Sequence, residues 1–437
     1  MADMDRIRRW VTITVLSILL LVILFPFALI GFWKYRLHAE IAGIKARGEP
    51  ITPADLAGTK IPKSQNAAPA YMQTFKQISG PNAENDLDIL KGLVRLDKPS
   101  EDTRLWVGVR RVLPKYRHAI DLAEDAAYRP KCRFSADWAK GIKAKFPYLA
   151  PLQKLGYILC ADSLVNAKDG NMDQAVRSLD IGFRLTNALE DEPSMIAMVV
   201  RKAIIHMMSS TLRTVATLGD LTPEQAERLY EVLNSVDLVR VYPKVLTGER
   251  AVGIDLFDRS RRGESGYVRT PFLTADELIY LRMFSRQLNL THLSCKEALN
   301  EDEDCQPKRW QKYALLSAIL LPNFSHARRS RDEAVAEIAG DKVFLALLAY
   351  HRRFNSYPTD LAQLGMKVGW AIPTDPFTGK PFVYKRKGKG FLLYSIGPNL
   401  KDDGGLSEEQ AERKRRSVPP PLPPRTDDYD IVWEMDH

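Results

Sequence analysis

This chain lacks any contiguous catalytic signature. No nucleophile elbow, HExxH pair, Ser/Lys pair or Cys/His arrangement occurs in it. A hydrolytic activity would therefore need acidic residues gathered from distant positions. Cysteine is scarce as well. Cys132, Cys160, Cys295 and Cys305 form no CxxC and no Cys/His metal spacing. Their even number suits an oxidising compartment, while four reduced core thiols would serve equally well, so the count leaves both readings open. A clustered basic face is missing too. The net charge is +9, but the basic residues are spread along the chain, which excludes the usual nucleic-acid modules. Attraction to anionic surfaces, such as lipid headgroups or wall polymers, is the reading that charge supports.

What is present starts with an apolar run. Residues 11–33, "VTITVLSILLLVILFPFALIGFW", contain no charge. At about 1.5 Å per residue they reach roughly 35 Å as a helix, enough to cross a ~30 Å hydrocarbon core. Pro26 is tolerated in such a helix, and Phe32, Trp33 and Tyr35 form an aromatic edge at headgroup level. The run exceeds a signal-peptide core, and no small-residue cleavage site follows it. It reads as an uncleaved transmembrane signal anchor behind a short cytoplasmic tail (1–10). Arg6, Arg8 and Arg9 precede it, but Lys34, Arg36, Lys45 and Arg47 follow it, so the positive-inside count is nearly tied. The short tail and large following domain favour an inner-membrane, single-pass arrangement with the C-terminal part extracytoplasmic.

A linker (34–64) is expected next, then an α-helical domain (65–312). Apolar residues there recur at three and four spacing. Two amphipathic runs flank Asp169-Gly170-Asn171, which predicts a helical hairpin. "GNMDQAVRSL" loosely resembles the second helix of a tetratricopeptide unit, but one copy makes no array. Residues 192–215 are apolar nearly all round and predict a central helix. His206 on it reads as a hydrogen-bonded core residue. Thr222-Pro223 predicts a capped helix start, and Glu249-Arg250 an ion pair inside the bundle. The basic stretch 259–272 reads as a loop. Cys295 and Cys305 bracket an acidic segment and are candidate disulfide partners. Closing so short a loop would contribute about 3 kcal/mol. Glu301 to Asp304 lack the alternating ligands and central glycine of an EF-hand.

The last quarter (313–437) predicts an α+β unit: a long helix with a buried stripe through Val335, Ile338, Val343, Ala346, Leu347 and Tyr350, then a small antiparallel sheet. "FVY" and "FLLYSIG" flank the turn "KRKGKG", and "YDIVW" supplies a third strand. Leu321-Pro322-Asn323, Tyr357-Pro358, the segment "DPFTGKP" from Asp375, and Leu393-Tyr394-Ser395-Ile396-Gly397 follow one another in this order. In that order they resemble the major pseudopilins of type II secretion systems. The resemblance covers under a third of the chain. It omits the prepilin processing site and the membrane helix that pseudopilins carry directly before this unit. The whole arrangement also resembles uncharacterised bacterial single-pass proteins.

The resemblance implies a calcium site. Its ligand positions fall on Asn399, where the family carries Asp, and on Asp430, with Asp402 and Asp403 adding carboxylates between them. Calcium takes six to eight hard oxygens, and a glycine-rich loop can supply carbonyls as well. The alternative is a plain turn with solvated charges. An insertion (406–425) ending in "RKRRSVPPPLPPR" separates the loop from Asp430. Its proline run predicts an extended strap, and its cations would repel a metal lying close by.

Together these features point to a membrane-anchored, non-enzymatic interaction or scaffold protein of the bacterial cell envelope, associated through its last quarter with a secretion apparatus. The partners expected are the membrane and an envelope protein, with no nucleic acid. Two alternatives stay open: an envelope hydrolase with a noncontiguous acidic site, and a binder of anionic wall polymer through the basic stretches 259–269 and 413–425.

Overall fold

A 45-residue helix, α1 (Ala2–Ala46), opens the computed structural model, which describes residues 2–95, 103–264, 266, 270, 272–293, 297–298, 314–416 and 429–435. The fold is mostly helical, with one small antiparallel sheet. Residues 11–28 of α1 have no protein cover: Leu21, Phe25 and Phe27 are 67%, 66% and 69% exposed. It is long and apolar enough to cross a membrane. Residues 34–46, expected as linker, instead continue the same helix. Leu37, Ile41 and Ile44 lie on one stripe of it. Leu37 and Ile44 are buried with Tyr242, Leu246, Phe257 and Tyr280, and Ile41 packs alongside them. Gly48, at φ 68°, turns the chain, and Thr52 and Asp55 cap each other around a short 3₁₀ turn at Pro53–Ala57.

Among the described residues ten α-helices follow: α2 (Ala68–Gln77), α3 (Ala83–Val94), α4 (Thr103–Val112), α5 (Arg117–Ala127), α6 (Leu149–Lys168), α7 (Met172–Asn187), α8 (Met195–Leu218), α9 (Pro223–Asn234), α10 (Leu238–Arg262) and α11 (Leu273–Asn289). The predicted hairpin is α6–α7, turning at Gly170 (φ 80°), with Ala175 wholly buried. Helix α8 is also apolar and long enough to span a membrane, but more than half of its apolar stretch is buried, so it is a core helix. Thr222 caps α9 in a reciprocal box with Gln225.

The expected Glu249–Arg250 pair does not form, because adjacent residues point to different sides of a helix. Arg250 is buried and pairs with Glu49 at 2.6 Å, while Glu249 accepts the Met195 N–H at 2.6 Å. Burial raises the Glu249 carboxyl above its usual range against that single donor. The start of the supposed basic loop is the last turn of α10. Its arginines are locally neutralised: Arg259 pairs with Asp255, Arg261 with Asp258 and Glu277, and Arg262 with Glu264. Cys132 and Cys160 are buried free thiols. Cys295 and Cys305 lie outside the described residues.

A short helix, α12 (Leu315–Leu320), precedes the break at Pro322. Asn323 accepts the His326 N–H at 3.0 Å and starts α13 (Phe324–Phe354), which ends on Asn355 in the left-handed region. Helix α13 serves two cores. Ala334, Ile338, Leu345 and Ala349 pack into the helical domain, whereas Val343, Phe344, Leu347 and Tyr350 pack against the sheet. The boundary drawn at 312/313 is therefore not a packing boundary. After α14 (Leu361–Val368), strands β1 (Val383–Lys387), β2 (Gly390–Ser395) and β3 (Ile431–Met435) pair antiparallel in the order β1-β2-β3. Leu393 faces Trp433 across one ladder and Tyr384 across the other. Within the insertion, residues 408–416 form α15 (Glu408–Arg416). Its proline-rich part lies outside the described residues.

Candidate functional site

The loop leaving β2 is shaped by its backbone. Gly397, Leu400, Gly404 and Gly405 all sit at positive φ, which folds the chain back toward the start of β3. Asp430 reaches this loop despite the insertion. Its Oδ2 accepts the Gly405 N–H at 2.7 Å and its Oδ1 the Asp403 N–H at 3.4 Å, while its own N–H donates to the Leu406 carbonyl. Burial raises the Asp430 carboxyl above its usual range, against the pull of those two donors.

The other candidate ligands have partners of their own. Asn399 Nδ2 donates to Asp403 Oδ2 at 2.8 Å. Asp402 accepts from the Gly404 N–H and the Tyr394 hydroxyl, both at 2.9 Å, and these hold its carboxyl below the usual range. The fold thus brings Asn399, Asp402, Asp403 and Asp430 to one loop, but their oxygens face the loop's own donors. Among the described residues no three acidic, histidine or cysteine side chains are grouped to hold a metal. As placed, the set does not offer calcium its shell of six to eight oxygens. Arg415 and Arg416 of α15 are paired with Glu412, and Arg413 with Glu409.

A second acid supports the loop from below. Asp375, buried, accepts the Phe377 N–H and the Ser395 hydroxyl, each at 2.9 Å, and Ser395 Oγ in turn accepts the Gly397 N–H at 3.2 Å. In the sequence Asp375 stood out only as the first residue of the "DPFTGKP" segment that carries the resemblance. That its carboxylate is the bracket between the turn and β2 appears only once the sheet is assembled.

A charged cluster joins α8, α13 and β3. His206 Nδ1 lies 2.5 Å from Glu337 Oε1, Lys202 pairs with Glu333, and Arg213 lies 3.7 Å from Asp341. Trp433 Nε1 donates to Asp341 Oδ1 at 2.7 Å. His206 is not a core residue: its side chain is 58% exposed, and the buried member of the pair is Glu337. Attraction to Glu337 raises the His206 pKa. The Glu337 carboxyl is pushed up by burial, but His206, Arg213 and Lys202 outweigh this and hold it below its usual range. Asp341 is pushed up to about 6 by burial. Sequence periodicity marked both helices but not this joint. The i, i+4 spacing of Glu337 and Asp341 on an otherwise apolar face was its one available signal.

Chemically, the joint pairs cations with acids along a packed helix face. That arrangement fastens the sheet to the helical domain. Comparison of the chain with family models, with curated proteins and with solved structures returned no match.

Proposed function

We propose that this chain is a membrane-anchored, non-enzymatic interaction protein of the bacterial cell envelope, with α1 in the cytoplasmic membrane and the remainder extracytoplasmic. The observation that carries this reading is the unbroken α1. Its first part is apolar and bare, and its last part is buried in the helical domain. A helix of this kind holds the folded body at a set position against the bilayer instead of tethering it loosely. The order of long helix, bracketed Asp375 turn, hairpin, loop and third strand supports the pseudopilin-like reading of the last quarter, and with it an association with a secretion apparatus. Fold resemblance does not transfer activity, so the reading stays with partner binding.

Protease added to spheroplasts should remove the body beyond residue 46, whereas full protection would sink the extracytoplasmic placement. Cross-linking in the native cell should then capture envelope proteins. Recovery of cytosolic proteins alone would overturn the assignment.

A further inference from the structure

Where α1 leaves its apolar run it meets the start of α11, and the two helices line an open cavity of about 330 Å³. Phe32 and Trp33 of α1 and Phe272 and Ile279 at α11 form its apolar walls. Trp33 and Phe272 meet edge to face, with 6.1 Å between ring centroids. The volume falls within the range of small-molecule sites, roughly 300–1,000 Å³. Phe32 and Trp33 are the last residues of the apolar run, so a spanning α1 sets the cavity at headgroup depth.

Two arginines line the same cavity, Arg36 from α1 and Arg282 from α11. Both side chains are exposed. Neither makes an ion pair or hydrogen bond among the described residues, in contrast to the neutralised arginines at the end of α10. The one acid in the lining, Asp276, is buried and committed elsewhere. It accepts the Leu316 and Ser317 N–H groups at the start of α12, at 2.8 and 3.1 Å, and the Ser317 hydroxyl. Helix α12 in turn exposes Leu315 and Ile319, 57% and 64% accessible. An apolar cleft with two guanidiniums unpaired among the described residues, at headgroup depth, matches an anionic amphiphile. Guanidinium recognises phosphate, and the aromatic wall accepts a hydrocarbon chain.

We propose that this cavity holds one anionic phospholipid of the leaflet that α1 enters, with its phosphate between Arg36 and Arg282 and an acyl chain along Phe32, Trp33 and Ile279. The lipid would fix the angle between anchor and body. The proposal rests on the reading of α1 as a membrane anchor.

The test uses the full chain in mixed micelles of phosphatidylglycerol and phosphatidylcholine, with retained lipid read by native mass spectrometry. Phosphatidylglycerol should be retained with a preference of roughly tenfold or more. The double variant Arg36→Gln/Arg282→Gln should bring the two lipids close to parity, and Ala275→Phe, which fills the cavity with both charges intact, should lose the bound lipid. Equal retention by the wild type, or an undiminished preference in the double variant, overturns the proposal. So does displacement of the lipid by excess inorganic phosphate, which would reduce the site to an anion site. Carbonate extraction separates the two readings. Release of the wild type removes the anchor and the lipid site together, whereas a protein that stays in the membrane without lipid preference removes the lipid site alone.

Discussion

Trp433 fills the space in which any residue other than glycine at position 340 would carry its Cβ. The indole Cζ2 and Cη2 atoms lie 2.1 Å from that point. The same indole donates to Asp341, one residue further along α13. Strand β3 is thereby keyed into the long helix by shape at Gly340 and by a hydrogen bond at Asp341.

Gly340→Ala should therefore destabilise the protein. Helix propensity alone favours alanine by about 1 kcal/mol, but overpacking against a wholly buried indole costs about 1–3 kcal/mol. The clash should win, because neither the ring nor the helix backbone has room to move. Thermal unfolding in detergent checks this. The smaller ring of Trp433→Phe should return part of the loss in the Gly340→Ala background, and a melting temperature unchanged by Gly340→Ala would contradict the packing argument.

The His206–Glu337 pair should make stability depend on pH. A histidine whose folded pKa is raised contributes stability that is fully present below its unfolded pKa, near 6.5, and lost as pH rises through the folded value. Glu337, held low, contributes above its unfolded value near 4.5 and loses that contribution as pH falls through its folded one. Lys202, Arg213, Glu333, Asp341 and Glu408 of α15 share the surroundings. Asp341, raised to about 6, acts in the same direction as His206 and against Glu337, favouring the fold in its protonated state as pH falls. Between pH 6 and 9 the wild-type urea midpoint should therefore decline, by an amount kept small by the exposure of His206. His206→Gln should flatten that decline, and an identical slope in the variant would remove His206 as its source.

Asp375→Ala should cost about 1–3 kcal/mol, because it leaves the buried Ser395 hydroxyl and Phe377 N–H without their acceptor. Asp375→Asn keeps one acceptor oxygen and should cost less. Chemical unfolding of both variants measures the difference, and equal losses would mean that packing, not the hydrogen bonds, is what Asp375 supplies.

Asp430→Ala should loosen the 396–405 loop by freeing the Gly405 and Asp403 N–H groups, read as faster amide exchange at those two positions. Since the loop's oxygens face its own donors, melting curves recorded in calcium and in chelator should coincide. A calcium-dependent rise that Asp430→Ala abolishes would instead make the loop a metal site.

Deleting residues 1–28 should release the protein from the membrane with its melting temperature preserved, because Trp33, Leu37 and Ile44 stay in place. Ile44→Ala, at a wholly buried position, should cost about 2–5 kcal/mol. If the deletion alone unfolds the body, α1 contributes to the core further up than Trp33.

Much of the fold was legible in the chain because it is encoded locally. The uncharged run, the α6–α7 turn at Gly170, the Thr222 cap, the break at Pro322 and the hairpin after Asp375 each depend on neighbours a few residues apart. The candidate loop was legible as a loop, whereas the return of Asp430 to it across the insertion was left open by the sequence and appears in the hydrogen bonds to Gly405 and Asp403.

Tertiary structure alone decided the pairings. Arg250 meets Glu49 across 201 residues, and Trp433 meets Asp341 across 92. The Leu37–Ile44 stripe of α1 gains its meaning only when α10 and α11 present a face to bury it, and Arg36 and Arg282 line one cavity only because α1 and α11 come together there. Periodicity says which side of a helix seeks cover. Which distant element provides it, and which charges are left over, depends on packing the whole chain.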